Sequence, residues 1–439
     1  MKDTIDCRFL SFDGTERVSG SLARPDRYRQ LFDVLSRPRP AIPRGAGLSY
    51  CCASAGEDVV SVSSRRFDRV LGLDRDAGTV VVEPGVTVGA LHDLAVRNGW
   101  YPPILPGHPE ITVGGCVAFD VHGKSGRTFR SCVLALTLFH PSFGEIECSP
   151  EVDAELFELT VGGCGLTGFV TSVTLQLVPV AGSSLVRRRS PVADLSTTLE
   201  ALLKHERDHD FAYSWNDLSA RGNSFGRGIV YLESFADETL RASRRTPGRG
   251  AGEPAGRLPV PLLGRRIAPI ANRIYYEAER RRGRSRLDLG RGSFPILGKE
   301  GYFRALGRRG FREYQMLVPI PRFPTVIERL QAAIVDTASR PCLGSLKILD
   351  AEARLLRFSG RGVAVAVDVP AGPRSRELFA RLDAIALEVG ARVNLSKDSR
   401  VGQRVVAELF PEYGAFRSGV ESIDSGRGFD SALRRRVLG

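Results

Sequence analysis

The chain has 439 residues, 42% of them hydrophobic and 26% charged, enough for two or more domains with cores of their own. Its formal net charge of +12 suits nucleic acid, an anionic membrane surface or a phosphorylated ligand. No stretch approaches the roughly eighteen uninterrupted apolar residues of a membrane span, and the polar start MKDTIDCRFLSFDGTERVSG lacks the apolar core of a signal peptide.

In chain order, RPDRYRQLFDVL (24–35) reads as a helix, and AIPRGAGLSY (41–50) as a short strand breaking into a glycine turn. DVVSVSS, GTVVVEPG and LALTLFHPSFGEIECS are rich in β-branched or alternating residues, as strands are. TVGALHDLAVRNGW (87–100) carries apolar residues at helical spacing. DAELFELTVGG is a short helix entering a glycine turn, and GFVTSVTLQLVPV (168–180) is a strand. From about residue 183 the texture changes. A helix in DLSTTLEALLKHERDHD alternates with strands in FREYQMLVPI, GSLKILD and GVAVAVDVP. An Arg/Gly/Pro-rich stretch over about 237–298 is expected to be partly mobile, and its apolar and arginine residues to allow peripheral contact with a membrane. After Arg392 the first texture returns, ending in a basic helix. The eight cysteines form no CxxC pair and no metal-ligand spacing with histidine. They are expected to be reduced thiols in a cytoplasmic protein, with no metal site.

The stretch LPGHPEITVGGCVAFDVHGKSG (105–126) holds five glycines among polar groups. Glycine in such number implies close backbone approach or positive φ. GGCGLTG (162–168) contains a formal G-x-G-x-x-G, but a helix precedes it and a strand follows, the reverse of a dinucleotide-binding βαβ unit. PRGAGLSY (43–50) offers successive backbone N–H groups of the kind that bind phosphate oxygens. Four glycine clusters within about 125 residues therefore suggest a long, phosphate-containing ligand lying along several turns. Nucleic-acid binding, which charge alone would suggest, lacks a matching fold or aromatic–basic interleaving.

The order PRGAGLSY, VEPGVTVGALHDLA, LPGHPEITVGGCVAFDVHGK and DAELFELTVGGCGLTGFVTSVTLQLVP resembles the FAD-binding domain of the vanillyl-alcohol-oxidase (PCMH-type) flavoproteins. REYQMLVPI, LKILD, AVDVP and VNLSKDSR extend the resemblance toward the decaprenylphosphoryl-ribose 2′-oxidase group within it. The resemblance implies an α+β fold: a two-subdomain FAD-binding domain over 1–182, a substrate (cap) domain with an antiparallel sheet over 183–391, and a segment 392–439 returning to the first domain. It implies FAD contacts at Arg44, Gly45, Ala46, Gly47, Leu48, Ser49, Tyr50, Gly107, Thr112, Gly114, Gly115, His122, Gly123, Gly165, Gly168 and Val170. Leu48 stands where many relatives carry the histidine that tethers the flavin, so FAD is expected to be non-covalent. The matching substrate positions are Lys124, Gln315, Lys347 and Asn394, with Lys397, His122 and Tyr50 as catalytic candidates.

The implied reaction is oxidation of a sugar-type alcohol by hydride transfer to flavin, on a small or lipid-linked substrate, with a short-chain reductase as the partner that would complete an epimerisation. Departures fall on the substrate side. The loop after His122-Gly123-Lys124 is short, Ala366 replaces a cysteine, Leu349 an aromatic residue, and Asn394 or Leu395 a tyrosine. These keep open a free sugar, nucleoside or aminoglycoside as substrate. A non-catalytic flavin-binding subunit is the alternative of another class.

Overall fold

The structure is a computed structural model, and it describes residues 4–236, 267–297 and 300–439. Two small sheets and a two-stranded ribbon of Trp100–Tyr101 with Val178–Pro179 build the N-terminal half. A hairpin of Thr4–Leu10 and Arg17–Ala23 is extended by two parallel strands, Val60–Ser63 and then Ala41–Arg44. A five-stranded antiparallel sheet follows in the order Val70–Asp74, Thr79–Val82, Phe169–Gln176, Val133–His140, Gly144–Cys148. Phe169–Gln176 alternates strictly between buried and half-buried residues, the period-2 signature of a strand with one face on a core. The helix Val88–Arg97 is capped by Thr87, whose hydroxyl accepts from the Ala90 N–H.

An eight-stranded antiparallel sheet forms the cap. Its order is Ser285–Asp288, Ser184–Val192, Gly228–Phe235, Phe211–Asn216, Leu343–Asp350, Arg361–Pro370, Phe311–Val318, Arg392–Val393. The helices Leu195–His205, Phe323–Asp336 and Pro373–Val389 cover one face, where Tyr314, Met316, Val318, Leu346, Ile348, Val363, Val365 and Val367 join the largest core. The alternate residues of the same strands turn to the opposite face. Glu313 lies opposite Asp368, and Gln315 opposite Ala366, which also faces Ser345; Lys347 lies opposite Ala364. That second face looks toward the FAD-binding half. Arg361–Pro370 is buried on nearly every residue, so it reads as a continuous apolar run without alternation.

After Arg392–Val393 the chain leaves the cap sheet. The Tyr50 N–H donates to the Ser396 carbonyl at 2.9 Å, and farther on Asp430 and Ala432 donate to the carbonyls of Ala41 and Ala55. The basic terminal helix expected from the sequence is Ala432–Leu438.

The structure adds to the sequence reading in three places. Within the glycine-rich stretch, to which the sequence assigned no element, lies the helix Val113–Phe119 with Thr112 as its N-cap. The helix forms because Gly114 can lie against the Pro84 backbone and donate to its carbonyl at 2.8 Å, an approach a β-carbon would block. The N-terminal hairpin and three of the cap strands, Ser184–Val192, Phe211–Asn216 and Gly228–Phe235, were not anticipated. Of the stretch expected to be mobile, 237–266 and 298–299 lie outside the described residues. Residues 267–297 are built instead as the helix Ala268–Arg280, the strand Ser285–Asp288 and the short helix Leu289–Ser293. Salt bridges such as Arg189–Glu279, at 2.7 Å with both side chains nearly buried, fasten this stretch to the sheet. All eight cysteines are free, seven of them buried and Cys7 partly so.

Candidate functional site

The glycine turn after Ala41–Arg44 presents a row of unpaired backbone donors. The backbone N–H groups of the five successive residues Gly45 to Ser49 have no hydrogen-bond partner among the described residues, and all five residues are partly exposed. Gly47 supplies the positive φ of +68° that bends them round. Unpaired N–H groups in sequence form a concave donor array that suits phosphate oxygens. Arg44 anchors the turn from behind: its guanidinium donates to Ser54 Oγ at 2.8 Å and stacks on Phe9 at 4.7 Å. Gly45 lies close against the Thr112 side chain, so this turn and the start of Val113–Phe119 adjoin.

The other glycines of the expected cofactor track are placed largely by the chain's own packing. A β-carbon on Gly123 would lie 2.6 Å from the Leu105 carbonyl oxygen, and one on Gly168 2.8 Å from that of Phe139. Gly107 approaches Pro295 and Ile296, Gly115 caps onto Thr112, and Gly165 lies beside Pro43. Val170 is a strand residue paired with Leu138.

Six of the seven residues expected at the reacting centre come together on the second face of the cap sheet. Gln315 Oε1 accepts from Asn394 Nδ2 at 2.7 Å and meets His122 Nε2 at 3.2 Å. An amide oxygen only accepts, so the network assigns the ring proton to Nε2 and leaves Nδ1 as an acceptor. Lys347 Nζ donates to that Nδ1 at 2.9 Å and to the Gly123 carbonyl at 2.9 Å. Burial, reinforced by Lys347, pushes the His122 pKa down to about 3, so the ring is neutral with both nitrogens engaged. Lys397 Nζ lies 3.7 Å from the centroid of the Tyr50 ring and 3.5 Å from Glu313 Oε1. Burial, then Glu313 and Asp368, hold the Tyr50 phenol well above its ordinary pKa.

The seventh residue sits apart. Lys124 Nζ contacts Glu233 Oε2 at 3.1 Å, Tyr213 Oη at 3.2 Å and the Gly292 carbonyl at 2.5 Å. Arg187 also pairs with Glu233. Lys124 therefore fastens the His122-Gly123-Lys124 segment to the cap.

Sequence reasoning missed two carboxyl groups. Glu313 and Asp368 face each other across neighbouring strands, 9% and 5% exposed. Asp368 Oδ2 accepts from Tyr302 Oη at 3.4 Å, while its Oδ1 has no conventional partner. Burial and then Glu313 raise the Asp368 pKa well above the carboxylate range, so Asp368 holds its proton more readily than an ordinary carboxyl. The signal was present: 313 and 315, like 366 and 368, are two apart on strands and so share a face. The wall continues past Lys347 into an apolar patch of Leu317, Leu349, Phe358 and Ala364, with Phe358 5.4 Å from the His122 ring.

A model of the FAD binding domain matches residues 29–148. The chain is 32% identical over 375 residues to a Streptomyces coelicolor protein described as "Uncharacterized protein in mprA 5'region", covering 80% of this chain and 100% of that one. It is 26% identical over 417 residues to decaprenylphosphoryl-beta-D-ribose oxidase of Mycolicibacterium smegmatis, covering 91% of this chain and 89% of the relative. It is also 34% identical over 166 residues to the mitochondrial L-galactono-1,4-lactone dehydrogenase 1 of Oryza sativa subsp. japonica, covering 36% of this chain and 28% of that protein. FAD fits the residues present: the unpaired N–H groups of Gly45 to Ser49 would suit its diphosphate. The chain belongs to the PCMH-type FAD-binding (vanillyl-alcohol-oxidase) flavoproteins and is an FAD-dependent oxidoreductase.

Proposed function

We propose that the protein oxidises a secondary alcohol of a sugar-type substrate to a carbonyl. The observation that carries this reading is the polar face of Tyr50, His122, Gln315, Lys347, Asn394 and Lys397, gathered from both domains beside the Gly123 backbone. Bound FAD supplies a two-electron acceptor for the hydride of the carbinol carbon. The chain's own task is to hold that carbon in place and to offset the charge that develops as the hydroxyl loses its proton. Lys397, kept beside Glu313, provides a positive charge for the developing alkoxide. Gln315 and Asn394 lock each other's orientation and offer polar edges to a polyhydroxylated ligand, while Leu317, Leu349 and Phe358 suit an apolar part of it.

The relative that matches 91% of this chain is named for a lipid-linked ribose, which makes a sugar carbinol the first substrate class to test. If the ketone is half of an epimerisation, a short-chain reductase would consume it. A second reading, an amine-bearing substrate such as an aminoglycoside, is favoured by the Glu313–Asp368 pair, which would accept from an ammonium. Incubation with lipid-phosphoribose, free aldoses, nucleosides and aminoglycosides, followed by mass spectrometry, tests both. A product two hydrogens lighter that forms an oxime with hydroxylamine is expected. Turnover of none of these classes would contradict the reading.

A further inference from the structure

The two lysines of the site are held in opposite ways. Lys397 is paired with a carboxylate, at 3.5 Å from Glu313. Lys347 donates to two neutral acceptors, His122 Nδ1 and the Gly123 carbonyl, and no carboxylate is bonded to it among the described residues. An ammonium carries three N–H donors; an amine carries two and a lone pair. The two acceptors around Lys347 are the number an amine's N–H groups can serve, and the residue, though half-buried, is not sealed from solvent. The charged and titratable groups facing it agree. Burial first, then Lys397, and less strongly Lys124, push the Lys347 pKa down to about 7, against an opposing pull from Glu313, while His122 is neutral.

We propose, building on the alcohol-oxidation reading, that Lys347 is the catalytic base and that Lys397 remains the cation beside it. As the carbinol C–H pair leaves as hydride, reducing bound FAD by two electrons, the substrate O–H bond breaks and its proton forms a new N–H bond on Lys347 Nζ. The carbonyl forms from the oxygen's electron pair, and Lys347, now an ammonium, returns its proton to solvent before the next turnover. His122 is a positioning residue: its ring, fixed by Gln315, presents Nδ1 to Lys347 and holds the amine in one orientation. Two lysines held by different partners, one beside a carboxylate and one between neutral acceptors, divide charge stabilisation and proton removal between them.

The chain has six lysines, so the FAD-loaded protein labelled with 13Cε-lysine gives a spectrum simple enough to titrate. The signal lost in Lys347→Arg identifies the residue. Its midpoint is expected near 7, and higher in Lys397→Met, where the neighbouring charge is gone. A signal that stays charged past about pH 9, as an ordinary lysine does, overturns the proposal. In anaerobic flavin reduction the rate should rise with pH to a plateau through the same midpoint. Lys347→Met should lose that limb and about 10²- to 10⁴-fold in rate. If no alcohol bleaches the wild-type flavin, the oxidation reading fails and the base role with it. If alcohols bleach it and Lys347→Met keeps both rate and pH limb, only the base assignment falls.

Discussion

The ammonium of Lys397 lies over the ring of Tyr50, 3.7 Å from its centroid, and so joins the segment returning from the cap to the end of the first glycine turn. The Tyr50 N–H bond to Ser396 reinforces the same junction. Lys397→Met should therefore keep the fold and the flavin yet slow flavin reduction by roughly 10²- to 10³-fold, about 3–4 kcal/mol, the usual cost of one charge-stabilising donor. Stopped-flow reduction checks this. A wild-type rate would make Lys397 a structural partner of Tyr50 and move the chemistry elsewhere.

The flavin should be released intact when the protein is precipitated with acid or heat. Leu48 has no nucleophilic atom, and the thiols that follow it are poor ones. Burial pushes Cys51 far up, and burial followed by Glu16 pushes Cys52 up to about 12. Flavin absorbance in the supernatant is the expected result; flavin retained in the pellet would point to a covalent bond.

The cap is clamped to the FAD-binding half by Arg357, 4% exposed, whose Nε donates to the Val161 carbonyl at 2.7 Å and whose Nη2 pairs with Glu158 at 2.7 Å. Arg357→Ala removes one of three arginines on Glu158, Arg130 and Arg354 remaining, together with the donor to the Val161 carbonyl, and should cost about 1–3 kcal/mol, read as a fall in Tm. Burial raises the Glu158 pKa, but Arg357 and Arg130 outweigh it and the net shift is downward. A carboxyl with a depressed folded pKa contributes stability that is full above its unfolded pKa and is lost as pH falls through the folded value. The Tm gap between wild type and Glu158→Gln should therefore close as pH falls below about 4. A gap that stays constant would show that the charge on Glu158 is not what the clamp uses.

The helix Ala268–Arg280 turns Ile267, Ile270 and Ile274 outward, 49%, 60% and 64% exposed, and the exposed Arg281 and Arg282 follow it. This face should bind vesicles containing anionic lipid, each basic residue contributing about 1 kcal/mol near the surface. Sedimentation with anionic and with neutral vesicles measures it. Ile270→Ser with Ile274→Ser should weaken binding, and equal recovery from both vesicle types would remove the membrane role.

Much of the FAD-binding half was legible because its strands and helices each have one face on a core, as in Phe169–Gln176, and because its glycine turns have a distinctive order. The cap was harder to read. Ser184–Val192, Phe211–Asn216 and Gly228–Phe235 went unread, and Phe311–Val318 and Arg361–Pro370, though read as strands, are covered on both faces, which hides which of their residues share the polar face. Glu313 and Asp368 were missed for that reason: only the cross-strand register brings them together. The roles of Lys124 and Lys347 depend on which partners the tertiary fold supplies, a carboxylate for one and neutral acceptors for the other, and that cannot be read from His-Gly-Lys or Leu-Lys-Ile.

The most direct test of alcohol oxidation is anaerobic mixing of the FAD-loaded protein with each member of the substrate panel while the visible band of oxidised flavin is followed. Complete bleaching by at least one sugar-type alcohol is expected, slowed when its carbinol hydrogen is replaced by deuterium, because that C–H bond breaks in the reduction. A flavin that stays oxidised with every alcohol in the panel, yet is reduced by dithionite, would contradict it.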